Sequence, residues 1–233
     1  MLFVNAETSA ANAERQVDLA YDFLKFQMGL PISESVKLKD SIKNMMWDSN
    51  QDILLAKQFG VEDGNFFACG LSLVLHPKNP FVPTVHANWR YFEMYNSTGD
   101  IVTQWFGGGQ DLTPYYLFEE DAIHFHTVCK TACDAHHFDF YPKYKKVCDE
   151  YFWNAHRNEA RGLGGLFFDY LKETEEFSIE DRYDFVTEVG NSFLESYVPI
   201  VERRKEIEYT KEHKDWQEVR RGRYVEFNLV HDR

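Results

Sequence analysis

The stretch from Thr84 to Glu93 constrains the fold most. Read as a strand, its period of two puts Thr84, His86, Asn88 and Arg90 on one face and Val85, Ala87, Trp89 and Tyr91 on the other. One face can pack a core while the other carries an acid/base group, an amide and a fixed cation. That combination suits an anionic ligand whose chemistry moves a proton, although exposed polar residues often only solvate a surface.

The rest of the chain supplies partners for such a strand. Strand-like runs at 66–76 and 101–106 flank it, with the turn Asn96 to Asp100 joining the second as a hairpin. In the run before it, Ser72, Val74 and His76 share a face opposite Leu71, Leu73 and Leu75. The connector Pro77 to Pro83 holds three prolines and excludes helix. If these two strands pair, His76 and His86 approach one another at its mouth. Helices are expected over 9–27, near 35–47 and 50–59, and over 119–135. A further helix over 141–161 is closed by Gly162. Ser178 caps one to about 197, and Thr210 caps another that stops at Gly222. Short strands are expected at 164–169 and 223–231. Strands early, helices later and a returning strand give an α+β fold, an antiparallel sheet flanked on both faces by helices, as a single domain over residues 1–233.

Composition narrows the function. A chain of 233 residues can bury a sizeable core. A formal net charge of -13 argues against a nucleic-acid surface. No apolar run approaches the roughly 20 residues of a membrane span, and the N-terminus carries no secretory signal pattern, so a cytoplasmic setting is expected. The 20 Phe and 13 Tyr can serve a core or a flat ligand. Cys69, Cys129, Cys133 and Cys148 lack any C-x-x-C pair and read as reduced thiols.

Gly107, Gly108 and Gly109 precede Asp111. They either let a ligand approach the backbone beside Asp111 or form a mobile turn after the strand; no Lys follows in a phosphate-loop pattern. His124 and His126, two apart on a helix, face different ways. His156, Arg157 and Arg161 fall near the end of the 141–161 helix, where the dipole favours cations. The histidines at 76, 86, 126 and 156 show no metal-ligand spacing, and Arg220, Arg221 and Arg223 can neutralise carboxylates.

Several of these stretches together are specific. Gly70 to Pro80, Pro83 to Glu93, Trp105 to Tyr116, Tyr141 to Cys148, Tyr151 to Asp169, Ser196 to Ile200 and Arg220 to Leu229 occur in colinear order. From about Phe66 to Arg233 the chain resembles the oxygen-dependent coproporphyrinogen-III oxidases. The resemblance implies a flat antiparallel sheet between helices, a homodimer, and oxidative decarboxylation of two propionates of coproporphyrinogen III with molecular oxygen and no organic cofactor. Carried over by position, His86 is the proton donor, and Ser72 with Asn88, Trp89 and Arg90 contacts substrate. Asp111 is a carboxylate working at the pyrrole nitrogens, and His76, His86, His126 and His156 match a divalent-metal position. Against the family pattern, a Gly-rich segment before Gly29-Leu30-Pro31 is missing. The chain also stops at Arg233, short of a Gly-Gly-Arg substrate loop, so an exposed strand edge and an incomplete pocket are expected. Two other readings are a shortened homologue that binds tetrapyrroles without converting them, and an unrelated oxygen-using enzyme with a histidine-held metal.

Overall fold

A computed structural model of the protein describes residues 66–230, all within one compact unit. The expected helices over 9–27, 35–47 and 50–59 lie outside the described residues. Three long strands follow one another: β1 (Phe66–Leu75), β2 (Thr84–Tyr95) and β3 (Ile101–Thr113). Helices α1 (Glu119–Asp134) and α2 (Phe140–Tyr151) come next, then the two-residue strands β4 (Trp153–Asn154) and β5 (Glu159–Ala160), which pair as a small hairpin. Strand β6 (Gly164–Leu171) returns to the sheet, and α3 (Ile179–Asn191), α4 (Phe193–Arg204) and α5 (Lys211–Val230) complete the described part. The four-stranded sheet runs β1-β2-β3-β6, every pair antiparallel.

The alternation in β2 sorts the two faces as expected. Val85 and Ala87 are fully buried and join Leu112, Leu166 and Phe168 from the neighbouring strands. Helices α1 to α4 cover this face with Phe125, Cys129, Phe140, Tyr144, Phe185, Val189, Phe193 and Ile200. The opposite face is covered at one end by α5 and the end of α2, where Phe152, Phe227 and Cys148 pack with Phe167. Helices therefore stand on both faces, and the described residues leave the middle of the second face open.

Four sequence expectations are corrected. Strand β3 does not stop at 106: it runs through the glycine triplet, which is the buried centre of the sheet and not a turn. Gly108 and Gly109 adopt φ of 153° and 152°. A Cβ there would fall 2.2 Å from the Asn88 carbonyl oxygen and 2.0 Å from that of Leu166, so only glycine passes between these strands. The helix expected over 141–161 ends at Tyr151, because the next residues fold back as the β4–β5 hairpin, with Asn158 at φ 51° in its turn. The helix begun by Ser178, whose side chain and Asp181 form a capping box, breaks at Ser192 into α3 and α4. Residues 223–231, read as a strand, continue α5 to Val230, so no strand edge arises there. Gln217, Arg221, Tyr224 and Phe227, three or four apart, put that helix's inner stripe against Pro77, Tyr115, His76 and Phe152.

The cysteines are free; Cys129, Cys133 and Cys148 are buried and Cys69 is exposed. Burial raises the Cys129 thiol to about 12, which keeps it protonated and inert. Among the described residues, no helix is long and apolar enough to cross a membrane.

Candidate active site

This second face of the sheet is ordered by register into three rows. Ser72, Asn88, Gly109 and Phe167 stand side by side across β1, β2, β3 and β6. One step toward α5 lie Val74, His86, Asp111 and Gly165; one step away lie Gly70, Arg90 and Gly107. Polar side chains therefore rise from β2 while glycines border them, leaving a low floor on which a planar ligand can rest close to the backbone.

At the α5 end of this floor is a buried chain of three groups. The Asp111 side chain, 3% exposed, takes His86 Nδ1 at 2.8 Å on one oxygen and Arg161 Nη2 at 2.6 Å on the other. Burial alone would push the Asp111 carboxyl up. The Arg161 charge and the hydrogen bonds from His86 and Arg161 outweigh it and hold the carboxyl below its ordinary value. A carboxylate on Nδ1 makes that nitrogen the protonated one and leaves Nε2 as the working atom of His86. The ring is steadied edge-on against Phe152, centroids 6.1 Å apart. The Arg161 guanidinium lies 3.6 Å over Phe152, 4.7 Å from Tyr224 and 5.0 Å from Phe227, a cation held in an aromatic cage. Arg161 is the functional residue that sequence reasoning missed. It was placed at a helix end, whereas it follows β5 and points back under the sheet.

At the other end Arg90 pairs with Asp169, Nη2 to Oδ2 at 2.9 Å, both side chains partly exposed. Gly107 makes room for the pair: a Cβ there would meet Asp169 Oδ1 at 2.5 Å and Arg90 Nε at 2.8 Å. Beyond it a ladder of rings crosses the same face, with Phe92 stacked on Trp105 at 4.2 Å and Trp105 tilted against Tyr170 at 5.2 Å.

Three expected roles do not fit this geometry. Trp89 lies on the helix-covered face against Phe193, centroids 5.7 Å apart, so its side chain cannot meet a ligand on the floor. The Asp111 side chain is 3% exposed and lies between His86 and Arg161, so it presents no open oxygen to a ligand resting on the floor. The four histidines are not brought together. His76 meets Thr84 Oγ1 at 3.2 Å and the edge of Tyr224. His156 on the β4–β5 hairpin bonds Glu226 at 2.6 Å. His126 sits between the Leu163 carbonyl and the Tyr141 hydroxyl, each at 3.1 Å. Among the described residues, no group of three or more His, Cys, Asp or Glu side chains could hold a metal ion. The residues present do not fit the divalent-metal position that the family resemblance implies.

His126 instead reads as a neutral structural ring, donating from Nε2 and accepting at Nδ1. Burial, then the Lys145 charge, lower its pKa from 6.5, against weaker opposing effects of Leu163 and Asp149. Burial and Arg221 do the same to His76. The unfolded chain then binds protons that the folded chain refuses. This contribution to stability is complete above pH 6.5 and is lost as pH falls toward the depressed folded values. The unfolding free energy from urea titration is expected to fall between about pH 7.5 and about pH 5.5, by at most about 1.4 kcal/mol per pH unit from His126, with a smaller, solvent-screened share from the exposed His76. His126→Gln should remove its share of that slope; an unchanged slope in the variant would contradict the assignment.

A low glycine floor, a cation at one end and a buried carboxylate–histidine pair at the other define an acid/base site for a flat anionic ligand. The chain belongs to the coproporphyrinogen III oxidase family, whose sequence model matches residues 32–233. That match reaches further toward the N-terminus than the motifs from Phe66 onward. The chain is 56% identical over 178 residues to the oxygen-dependent coproporphyrinogen-III oxidase of Francisella philomiragia subsp. philomiragia. It is 57% identical over the same length to that of Francisella tularensis subsp. holarctica, and 56% to that of subsp. novicida. Each comparison covers 76% of this chain and 56% of the relative, so the chain spans just over half the length of the curated relatives it matches.

Proposed function

We propose that the protein carries out oxygen-dependent oxidative decarboxylation of two propionates of coproporphyrinogen III, giving the vinyl groups of protoporphyrinogen IX. The observation that carries the reading is the floor itself, on which register places His86, Asn88 and Arg90 in line among glycines. Identity of 56% to a protein named for this activity supports it.

For each propionate the C–C bond to the carboxylate and one neighbouring C–H bond break, a C=C bond forms and carbon dioxide leaves. The two electrons and the proton from that C–H bond, with one further proton, reduce oxygen to hydrogen peroxide. Arg90 binds a propionate through charge-assisted hydrogen bonds. Asn88 and Ser72, neighbours in register, are the polar contacts of the middle row. His86, through Nε2, handles the proton at the reacting centre, and Asp111, itself anchored by Arg161, fixes the ring that does so. The family pattern also implies a homodimer, which sedimentation of the purified chain tests.

The test is incubation with coproporphyrinogen III without oxygen, then admission of air with a chelator present, with products separated and read by porphyrin fluorescence. Catalytic formation of protoporphyrin is expected. Substrate retained without conversion would mark a tetrapyrrole-binding protein and overturn the oxidase reading. In the same assay Arg90→Ala should weaken substrate binding roughly 10- to 100-fold, as expected for charged hydrogen bonds worth about 1.5–3 kcal/mol. Turnover at saturation should be mostly kept; a loss confined to turnover would remove Arg90 from the binding role.

A further inference from the structure

The alternation of β6 is interrupted at one point, beside the row that holds Arg90 and Gly107. Phe168 stands opposite Gly108 and Leu171 opposite Phe106, so Asp169 and Tyr170 together face the single residue Gly107. Two residues against one is a β-bulge, a device that re-aims a side chain within a sheet. Phe168 and Leu171 both keep their places in the buried core. The extra residue is absorbed on the other face, where Asp169 meets Arg90 and the Tyr170 ring leans on Trp105. Tyr170 is at φ 51°, a backbone state rare for a bulky side chain. Its N–H donates to Asp169 Oδ1 at 2.9 Å, which ties the carboxylate to the bulge. Strain of this kind persists only where its surroundings hold it, and it gathers at functional sites.

The carboxylate decides which way the Arg90 guanidinium faces. Asp169 Oδ2 takes Nη2 at 2.9 Å. Gly107 lies beneath the pair: a Cβ there would fall 2.8 Å from Nε, 3.1 Å from Nη2 and 2.5 Å from Asp169 Oδ1. The Nε–Nη2 side is thus turned toward β3 and β6. Nη1 reaches along β2 instead, 3.5 Å from Asn88 Oδ1, the outer limit of a hydrogen bond. That end of the fork keeps donor capacity for a ligand in the middle row, one step from His86.

We propose that Asp169, set by the bulge, is a positioning residue: it holds the Nε–Nη2 side of Arg90 so that Nη1 is presented to a substrate carboxylate over the middle row. The inference rests on the function proposed above for the identity of that substrate. Two effects of opposite sign compete here. A second carboxylate beside Arg90 weakens the pull of the cation on an incoming anion. Fixing the fork in advance strengthens binding, because less rotamer freedom is lost when the substrate arrives. The Arg90 and Asp169 side chains are 39% and 30% exposed, so water screens the charge effect and orientation should win.

The test is the dissociation constant for coproporphyrinogen III without oxygen, with kcat then measured in air. It compares the parent, Asp169→Asn, Asp169→Glu, Arg90→Ala and the double variant Asp169→Asn with Arg90→Ala. An amide oxygen can still accept the Tyr170 N–H, so Asp169→Asn should keep the bulge and a melting temperature near the parent's. It should weaken binding about 10-fold, the lower end of the loss expected for Arg90→Ala, and leave kcat within about threefold. In the Arg90→Ala background the same change should alter binding by less than about twofold, because the two residues act as one unit. Asp169→Glu, which keeps the charge, should recover part of the affinity. Unchanged or tighter binding in Asp169→Asn would mean that Asp169 only competes for the cation, and the inference falls. Losses that multiply in the double variant, or a fall in kcat with binding kept, overturn it as well. A parent that binds without converting overturns the oxidase reading alone, since the dissociation constants still decide the role of Asp169. A parent that does not bind overturns both.

Discussion

Arg161→Met is expected to destabilise the fold by about 3–5 kcal/mol, the range for removing one partner of a buried ion pair. The Arg161 and Asp111 side chains are each 3% exposed, and 2.6 Å separates the guanidinium from the carboxylate. Methionine fills much of the volume within the cage of Phe152, Tyr224 and Phe227, so lost packing is the smaller part. The larger part is the Asp111 carboxylate, left buried without its cation. Its strongest single influence is burial, which favours the neutral acid. The variant's Asp111 should therefore have a folded pKa above the unfolded value of 3.8. A carboxyl raised in this way is stabilising only when protonated, so the penalty should be full near neutral pH and shrink as pH falls through the raised folded value. A second change, Asp111→Asn, should return much of the loss at neutral pH because it removes the stranded charge. Urea unfolding of the parent, Arg161→Met and the double variant checks this. A loss under about 1 kcal/mol, or one that neither acid nor Asp111→Asn relieves, would mean the pair is not coupled as its geometry indicates.

The period of two in β2 was enough to place His86, Asn88 and Arg90 together, because a half-buried strand cannot shift register without turning its core face to water. The same period put Trp89 on the far face, and the structure agrees with that geometry over the role carried from the family pattern. What failed to show was set by contacts distant in sequence. Glycine has low strand propensity, so β3 read as ending at 106. The close carbonyls of Asn88 and Leu166 explain Gly108 and Gly109 mid-strand, and the Arg90–Asp169 pair explains Gly107. Residues 152–161 contain no proline or glycine, and helix was the natural reading. Asn158, tolerant of positive φ, was the one local sign of the hairpin that turns Arg161 toward Asp111. Gly190, Asn191 and Ser192 marked the break between α3 and α4 in the usual chemistry of helix ends. Alternation at 223–231 suggested a strand, but Tyr224 and Phe227 at helical spacing find Arg161, and that burial overrides a weak local preference. The four histidines, close only in the borrowed pattern, are parted because each meets a different neighbour: Thr84, Asp111, Tyr141 and Glu226.

His86→Gln and Asp111→Asn should each lower turnover of coproporphyrinogen III by about 10²- to 10⁴-fold, the span of a positioned acid/base group. Substrate binding should be nearly kept, since Arg90 and Asn88 remain. The two losses have one origin. Glutamine at 86 removes the ring whose Nε2 handles the proton. Asparagine at 111 keeps the shape but not the chemistry: its oxygen turns to Arg161, and its NH2 is left facing His86 Nδ1. That nitrogen must then accept, the proton moves to Nε2, and the ring presents the wrong tautomer to the substrate. Binding of the substrate in the absence of oxygen, with kcat measured in air, separates these effects from lost affinity. The double variant gives the sharper result. If Asp111 acts only through His86, adding Asp111→Asn to His86→Gln should change kcat by less than about threefold, because residues acting as one unit are not additive. Multiplying losses would mean that Asp111 touches the reaction independently. That outcome would require the sealed pocket around it to open during the reaction.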